Sequence, residues 1–144
     1  MKIYVASSWK NLLQPGIVHA LKRCGHTVYD FRHPMPGNNG FSWKEVEPKY
    51  TGDKVEPEIY DRMLTHPIAR ASYRTDITAL RECDTLVYVL PCGRSASWEF
   101  GYAMGMGKRG YVVMFEPDVP ELMFFEATII TSMDKLFDCF GEPK

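Results

Sequence analysis

The chain has 144 residues, a formal net charge of −1, and 45% hydrophobic and 13% aromatic side chains. That size and composition suit one well-filled domain spanning residues 1–144 and exclude a disordered segment. The balanced charge supplies no basic field for nucleic acid or an anionic membrane, so the expected partner is a small neutral or singly charged molecule.

From the N-terminus, "KIYVA" (Lys2–Ala6) reads as a short β-rich strand followed by the polar "SSWKN". Ile17, Ala20, Leu21 and Cys24 then recur at helical spacing, with Gly25 where a helix C-cap belongs. "HTVYDF" predicts a second strand ending near Phe31, and "DTLVYVL" a third, whose unbroken apolar run suits a strand covered on both faces. A helix enters that third strand through "YRTDITALRECD", with Ile77, Ala79 and Leu80 toward the core and Asp76 on an adjoining face. Asp84 reads as a turn or cap residue. "GYVVMF" and "ATII" predict two further strands, the last leading into a short helix from about Ser132 to Phe140. Strands alternating with helices predict an α/β fold, a flavodoxin- or Rossmann-like three-layer sandwich around a mostly parallel five-stranded sheet.

One stretch breaks this rhythm. From Arg32 to about Thr65 the chain is rich in proline and glycine and shows no periodicity until "PEIYDRML", which predicts one short helix. A long excursion of this kind inside a compact domain is usually functional or disordered, and the aromatics Phe41, Trp43 and Tyr50 argue for order. They either cap the core or form a lid whose faces stack on a flat ligand.

Cys24, Cys83, Cys92 and Cys139 show no CxxC spacing, and His19, His26, His33 and His66 no HxxxH, so neither a metal site nor a redox motif is expected. Cys92 reads as a small apolar filler. The start "MKIYVASSWK" has no signal-peptide layout and no apolar run is long enough to span a bilayer, so reduced thiols and a cytoplasmic location are expected. There is no GxGxxG and no P-loop, and no cofactor is implied.

In open parallel sheets, ligands bind beyond the carboxyl ends of the strands. Those ends here are "ASSW" (Ala6–Trp9, including Ser7), "DFRH" (Asp30–His33) and "PCGRSASWE" (Pro91–Glu99). A helix opening at about Ser95 or Ala96 points unpaired N–H groups at the crevice and favours an anion there, with Arg94, Ser95 and Ser97 as added donors. Glu99 is open to two readings: a first-turn acid stabilised by the helix dipole, or a carboxylate turned into the crevice. Behind it, Phe100, Ala103, Met104 and Gly107 form an apolar stripe. Gly101 and Gly105, four residues apart, suit a close backbone approach, access of a ligand to the helix start, or a dimer contact.

"YVASSW", "RTDITALRECD" and "WEFGYAMGMGK" together resemble the nucleoside 2-deoxyribosyltransferase family, from the first strand to about Glu116. The resemblance extends to relatives that hydrolyse nucleoside 5′-monophosphates. It implies cleavage of the N-glycosidic bond of a nucleoside or nucleotide, with Glu99 as nucleophile, Asp76 as the matching acid near the sugar, and Tyr4 and Trp9 lining the site. It also implies a homodimer or higher homo-oligomer. Gly93 stands where the transferases carry a second aspartate, and "CFGEPK" lacks the aromatic end that they lend to a neighbouring chain. In the hydrolases, serines of this loop hold a 5′-phosphate, a role that Arg94, Ser95 and Ser97 imitate. Two rivals are a TIR-like NAD glycohydrolase, whose tryptophan sits further from its glutamate than the adjoining Trp98 and Glu99, and a nucleotide-binding module without turnover.

Overall fold

Side chains in the central strands alternate between two faces, and both faces are covered. In the computed structural model, which describes residues 1–144, five strands form one sheet: β1 (Lys2–Ala6), β2 (Thr27–Asp30), β3 (Thr85–Val89), β4 (Arg109–Val113) and β5 (Thr128–Ile130). Their order is β2-β1-β3-β4-β5, and every neighbouring pair is parallel, one step beyond the mostly parallel sheet that the sequence predicts. The helices are α1 (Gln14–Arg23), α2 (Pro57–Thr65), α3 (Pro67–Glu82), α4 (Arg94–Gly105) and α5 (Met133–Phe140).

Ile3, Val5, Val87 and Val89 pack with Leu21 of α1 and Leu136 of α5 on one face. Tyr4, Leu86 and Tyr88 pack with Leu80 of α3 and with Phe100 and Ala103 of α4 on the other. This is the expected three-layer sandwich. Fully buried residues such as Ile17 and Leu21 each contribute about 2 kcal/mol of hydrophobic stabilisation. Asn11 opens α1, its Oδ1 accepting the N–H groups of Leu13 (2.8 Å) and Gln14 (3.2 Å). Past the other end, Gly25 takes φ 86°, as an αL stop requires. Asp84 accepts the Lys2 N–H at 2.8 Å, tying the start of β3 to β1. No helix is long and apolar enough to cross a membrane.

The excursion after β2 contains one 3₁₀ turn, Trp43–Glu45, and then α2, the short helix expected there. A capping box closes that turn: the Ser42 N–H donates to Glu45 Oε2 (2.9 Å) and the Lys44 N–H to Ser42 Oγ (3.3 Å). Phe41 meets Trp43 edge-on at 4.9 Å, and Trp43 meets Tyr60 at 5.9 Å. Phe41 and Trp43 belong to neither core cluster.

The helix that carries Glu99 departs from expectation in three ways. It begins at Arg94, because Gly93 in extended backbone (φ −105°, ψ −166°) already serves as N-cap. Glu99 therefore lies in the second turn, beyond the donors of the helix start, and the first turn holds no acid. Gly107 lies past the helix end with φ 72°, so it is a turn residue and not part of the apolar stripe. A Cβ added at Gly101 or Gly105 meets nothing within 4 Å, so no close packing inside this chain explains those glycines.

Candidate functional site

The strand order places a crevice at the β1/β3 switch point, where α1 leaves toward one face of the sheet and α4 toward the other. The crevice encloses about 820 Å³. Ser7 and Trp9 from the end of β1, Asp76 from α3, and Ser95 and Glu99 from α4 line it. Phe41, Trp43, Lys44 and Tyr50 of the excursion wall the far side. Between the two readings of those aromatics, the structure puts them on the crevice wall and not over the core.

At the floor, two tyrosines each hold one carboxylate. Tyr4 Oη donates to Glu99 Oε1 at 2.8 Å, and Tyr29 Oη donates to Asp76 Oδ1 at 2.6 Å. Their Cα positions pair directly across β1 and β2, and the rings stack at 5.0 Å and 22°. Burial pushes the Glu99 carboxyl up to about 7; the Tyr4 hydrogen bond opposes this, and the nearby Asp76 charge adds to it. Burial also raises Asp76, against the Tyr29 hydrogen bond. Both phenols are pushed well above their usual range, by burial first and by the carboxylates second, and so remain donors. Two desolvated acids beside one cavity suit proton transfer and charge stabilisation near neutral pH.

The loops are held as firmly as the floor. Arg32 Nη2 donates to the carbonyls of Ser8 (3.1 Å), Trp9 (2.8 Å) and Asn11 (2.8 Å), and its guanidinium lies 5.7 Å from the Trp9 ring centroid. Asn11 Nδ2 reaches the carbonyls of Val89 (3.1 Å) and Pro91 (3.0 Å), joining the β1 and β3 ends, and Ser7 Oγ donates to Val89 O at 2.8 Å. Gly40 (φ 81°) comes so close to Trp9 that an added Cβ would sit 2.6 Å from its ring and 2.6 Å from the Phe31 carbonyl oxygen. "DFRH" mostly supports this loop. Burial raises the Asp30 carboxyl, but the amide of Gln14, the His33 ring and the Arg32 N–H together hold it below its usual range.

Four substrate-binding expectations need correction. Tyr4 is fully buried beneath Glu99 and does not itself line the crevice. Ser97 points away from the crevice: it shares a 2.7 Å hydrogen bond with the Tyr88 hydroxyl, donates to Gly93 O at 3.1 Å, and lines a second groove. Gly93 and Arg94 do not line the crevice either. The cause is helical phase. With α4 starting at Arg94, Ser95 and Glu99 share one face at i, i+4, while Ser97 and Gly101 share the opposite one. Cys92, whose thiol burial pushes up to about 11, is half-buried beside Tyr88 and suits the filler reading. Trp98 stacks on Tyr102 at 5.0 Å, away from the crevice.

Tyr29, Asn11 and Gly40 escaped the sequence reading, and Arg32 entered it only as part of "DFRH", with no role of its own. A usable signal existed for Tyr29 alone: in a parallel pair, the aromatics of "KIYVA" and "TVYD" meet if the strands start level.

A solved structure of a 2-deoxyribosyltransferase from the psychrotolerant bacterium Bacillus psychrosaccharolyticus aligns with 100% of this chain and 99% of its own, at a TM-score of 0.57 and 18% identity. The chain shares that enzyme's fold. No protein-family model matches the sequence, and no curated protein matches it.

Proposed function

We propose that the protein cleaves the N-glycosidic bond of a nucleoside or nucleoside 5′-monophosphate through a covalent glycosyl intermediate on Glu99. The observation that carries this reading is a carboxylate at the crevice floor, bonded by Tyr4 at 2.8 Å and poised near neutrality beside a second acid. The shared fold with a 2-deoxyribosyltransferase and the resemblance of "WEFGYAMGMGK" support the same class.

Cleavage develops positive charge at C1′, which the Glu99 anion stabilises and then traps as an ester. The C1′–N electron pair leaves with the base, which takes up a proton from Asp76. Water, or a second base, then attacks C1′ from the face the first base left, giving retention; the attacking group's proton returns to Asp76, and Glu99 is released as the anion. Phe41 and Trp43 supply aromatic faces for the base, and the 32–65 excursion acts as a lid that excludes water. Trp9 forms the neighbouring wall. For a 5′-phosphate, the crevice offers Ser95 at the start of α4 and the Lys44 ammonium. The proposal includes a homo-oligomer that covers the second groove, where Leu122, Met123 and Phe125 stand 82%, 74% and 89% exposed.

The test is chromatographic detection of free base from a panel of nucleosides, nucleoside 5′-monophosphates and NAD, with and without an acceptor base, and with Glu99→Gln as control. Base release that requires Glu99 supports the proposal, and the acceptor dependence separates transfer from hydrolysis. Nicotinamide as the sole product would move the assignment to NAD cleavage. Tight nucleotide binding with no release would leave a binding module.

A further inference from the structure

The two carboxylates are tied in the same manner. Each gives one oxygen to a tyrosine on the strand beneath it, Glu99 Oε1 to Tyr4 and Asp76 Oδ1 to Tyr29. Neither second oxygen takes a bond from the protein, and neither is sealed from solvent. The two phenols come from adjacent positions of one parallel pair and lie ring on ring. Replacing either ring's hydroxyl therefore leaves the stack but frees one acid. We infer that Tyr29 is a positioning residue: working in parallel with Tyr4, it aims the open oxygen of Asp76 into the crevice and decides which of the two acids carries the proton.

This inference rests on the proposed role of Glu99 and adds a residue outside it. A phenol donating to a carboxylate favours the anion, so the tyrosine that bonds more strongly keeps its own acid ionised and leaves the proton to the other. The pair titrates as a unit because the Asp76 charge raises Glu99. Other titratable groups lie near it on three neighbouring segments. Asp30 follows Tyr29 on β2, Cys92 precedes α4, and Lys44 and Tyr50 line the crevice from the excursion. None of these hydrogen-bonds to either acid.

Removing the Tyr29 hydroxyl makes Asp76 hold its proton to higher pH. A neutral Asp76 no longer repels the Glu99 anion, so Glu99 ionises at lower pH. Removing the Tyr4 hydroxyl does the opposite to Glu99. The two Tyr→Phe exchanges thus move the Glu99 midpoint in opposite directions, which a role in packing alone does not do.

The experiment is a carboxyl-¹³C NMR titration of the full chain labelled at Asp and Glu, with Asp76→Asn and Glu99→Gln to assign the two signals. Tyr29→Phe is expected to raise the Asp76 midpoint and lower that of Glu99; an unmoved Asp76 midpoint overturns the inference. Replacing Tyr29 by 3-fluorotyrosine keeps ring and hydroxyl while acidifying the phenol, so it serves even if Tyr29→Phe does not fold. It is expected to lower the Asp76 midpoint, and no shift there also overturns the inference. With the best substrate, Tyr29→Phe is expected to move the acid limb of the kcat profile to lower pH, because neutral Asp76 and anionic Glu99 are the reacting forms. It is also expected to lower the plateau about tenfold with KM little changed, because Asp76 loses its aim; that loss of plateau should vanish in an Asp76→Asn background. An undiminished loss in that background means that Tyr29 acts by another route. The titration needs no turnover, so full activity of Glu99→Gln would overturn the nucleophile while leaving the result on Tyr29 readable.

Discussion

On its crevice side α4 presents Ser95 and Glu99 to a cavity whose floor and loops are closed by directed hydrogen bonds. On its opposite side it presents Ser97, Gly101 and Gly105 to a groove of about 930 Å³ walled by Leu122, Met123 and Phe125. Asp118, Glu121 and Glu126 are the charged groups on that second side, and no cation joins them. The first side spends stability on burying acids. The second leaves two helix glycines, each about 1 kcal/mol less favourable than alanine, without a contact that requires them. One helix thus carries a preorganised polar floor and a smooth apolar face, and each can be altered without touching the other.

The largest break in this comparison comes from Glu99→Gln, which is expected to lower base release by about 10³-fold or more. The same exchange should raise stability above neutral pH. Glu99 holds its proton in the folded chain up to about pH 7, well above its ordinary value of 4.5. Between those pH values the folded state binds a proton that the unfolded state has released, so wild-type stability falls as pH rises through this window. Glutamine removes that fall. Denaturant unfolding at pH 4 and pH 8 should show a gain for the variant of about 3 kcal/mol at the higher pH.

Gly40→Ala tests whether the crevice wall depends on one close approach. The new Cβ meets both the Trp9 ring and a backbone oxygen at 2.6 Å, at a φ of 81°. A cost of about 1–3 kcal/mol is expected, with KM raised and the fluorescence of Trp9 and Trp43 changed. Tyr4→Phe is subtler: the acid limb of the pH–rate profile should move upward, with roughly tenfold lower activity at pH 7 that recovers toward alkaline pH. A uniform loss with an unmoved limb would show that Tyr4 only packs. The smallest effect belongs to the other face. Gly101→Ala should leave base release unchanged and, with a second copy over this face, give a smaller species in light scattering, although nothing within one chain opposes the added methyl. An unchanged species with a gain of up to about 1 kcal/mol would show that no second copy covers this face.

Much of the architecture was legible because it is written locally. Apolar runs bounded by turn residues placed all five strands, and the local pattern placed α1 and α5 close to their observed limits, but for α3 it placed the C-terminal part and missed the start at Pro67. The crevice followed from strand ends in a parallel sheet. Which face of α4 turns to the crevice was not legible, because that is set by packing on the sheet; once Glu99 faces the crevice, the i, i+4 spacing brings Ser95 with it and turns Ser97 away. The roles of Arg32 and Asn11 were also hidden. Both bind carbonyls of loops distant in sequence, and a polar residue in a loop has no periodicity to reveal such partners.

The sequence by itself determined the layered α/β fold and the elements that bear Glu99 and Asp76, because burial of apolar side chains fixes strands and helices at short range. Only the tertiary structure decided that Tyr4 meets Glu99 and Tyr29 meets Asp76. That pairing depends on the register of β1 with β2 and on how α3 and α4 lie across them, which long-range packing alone determines.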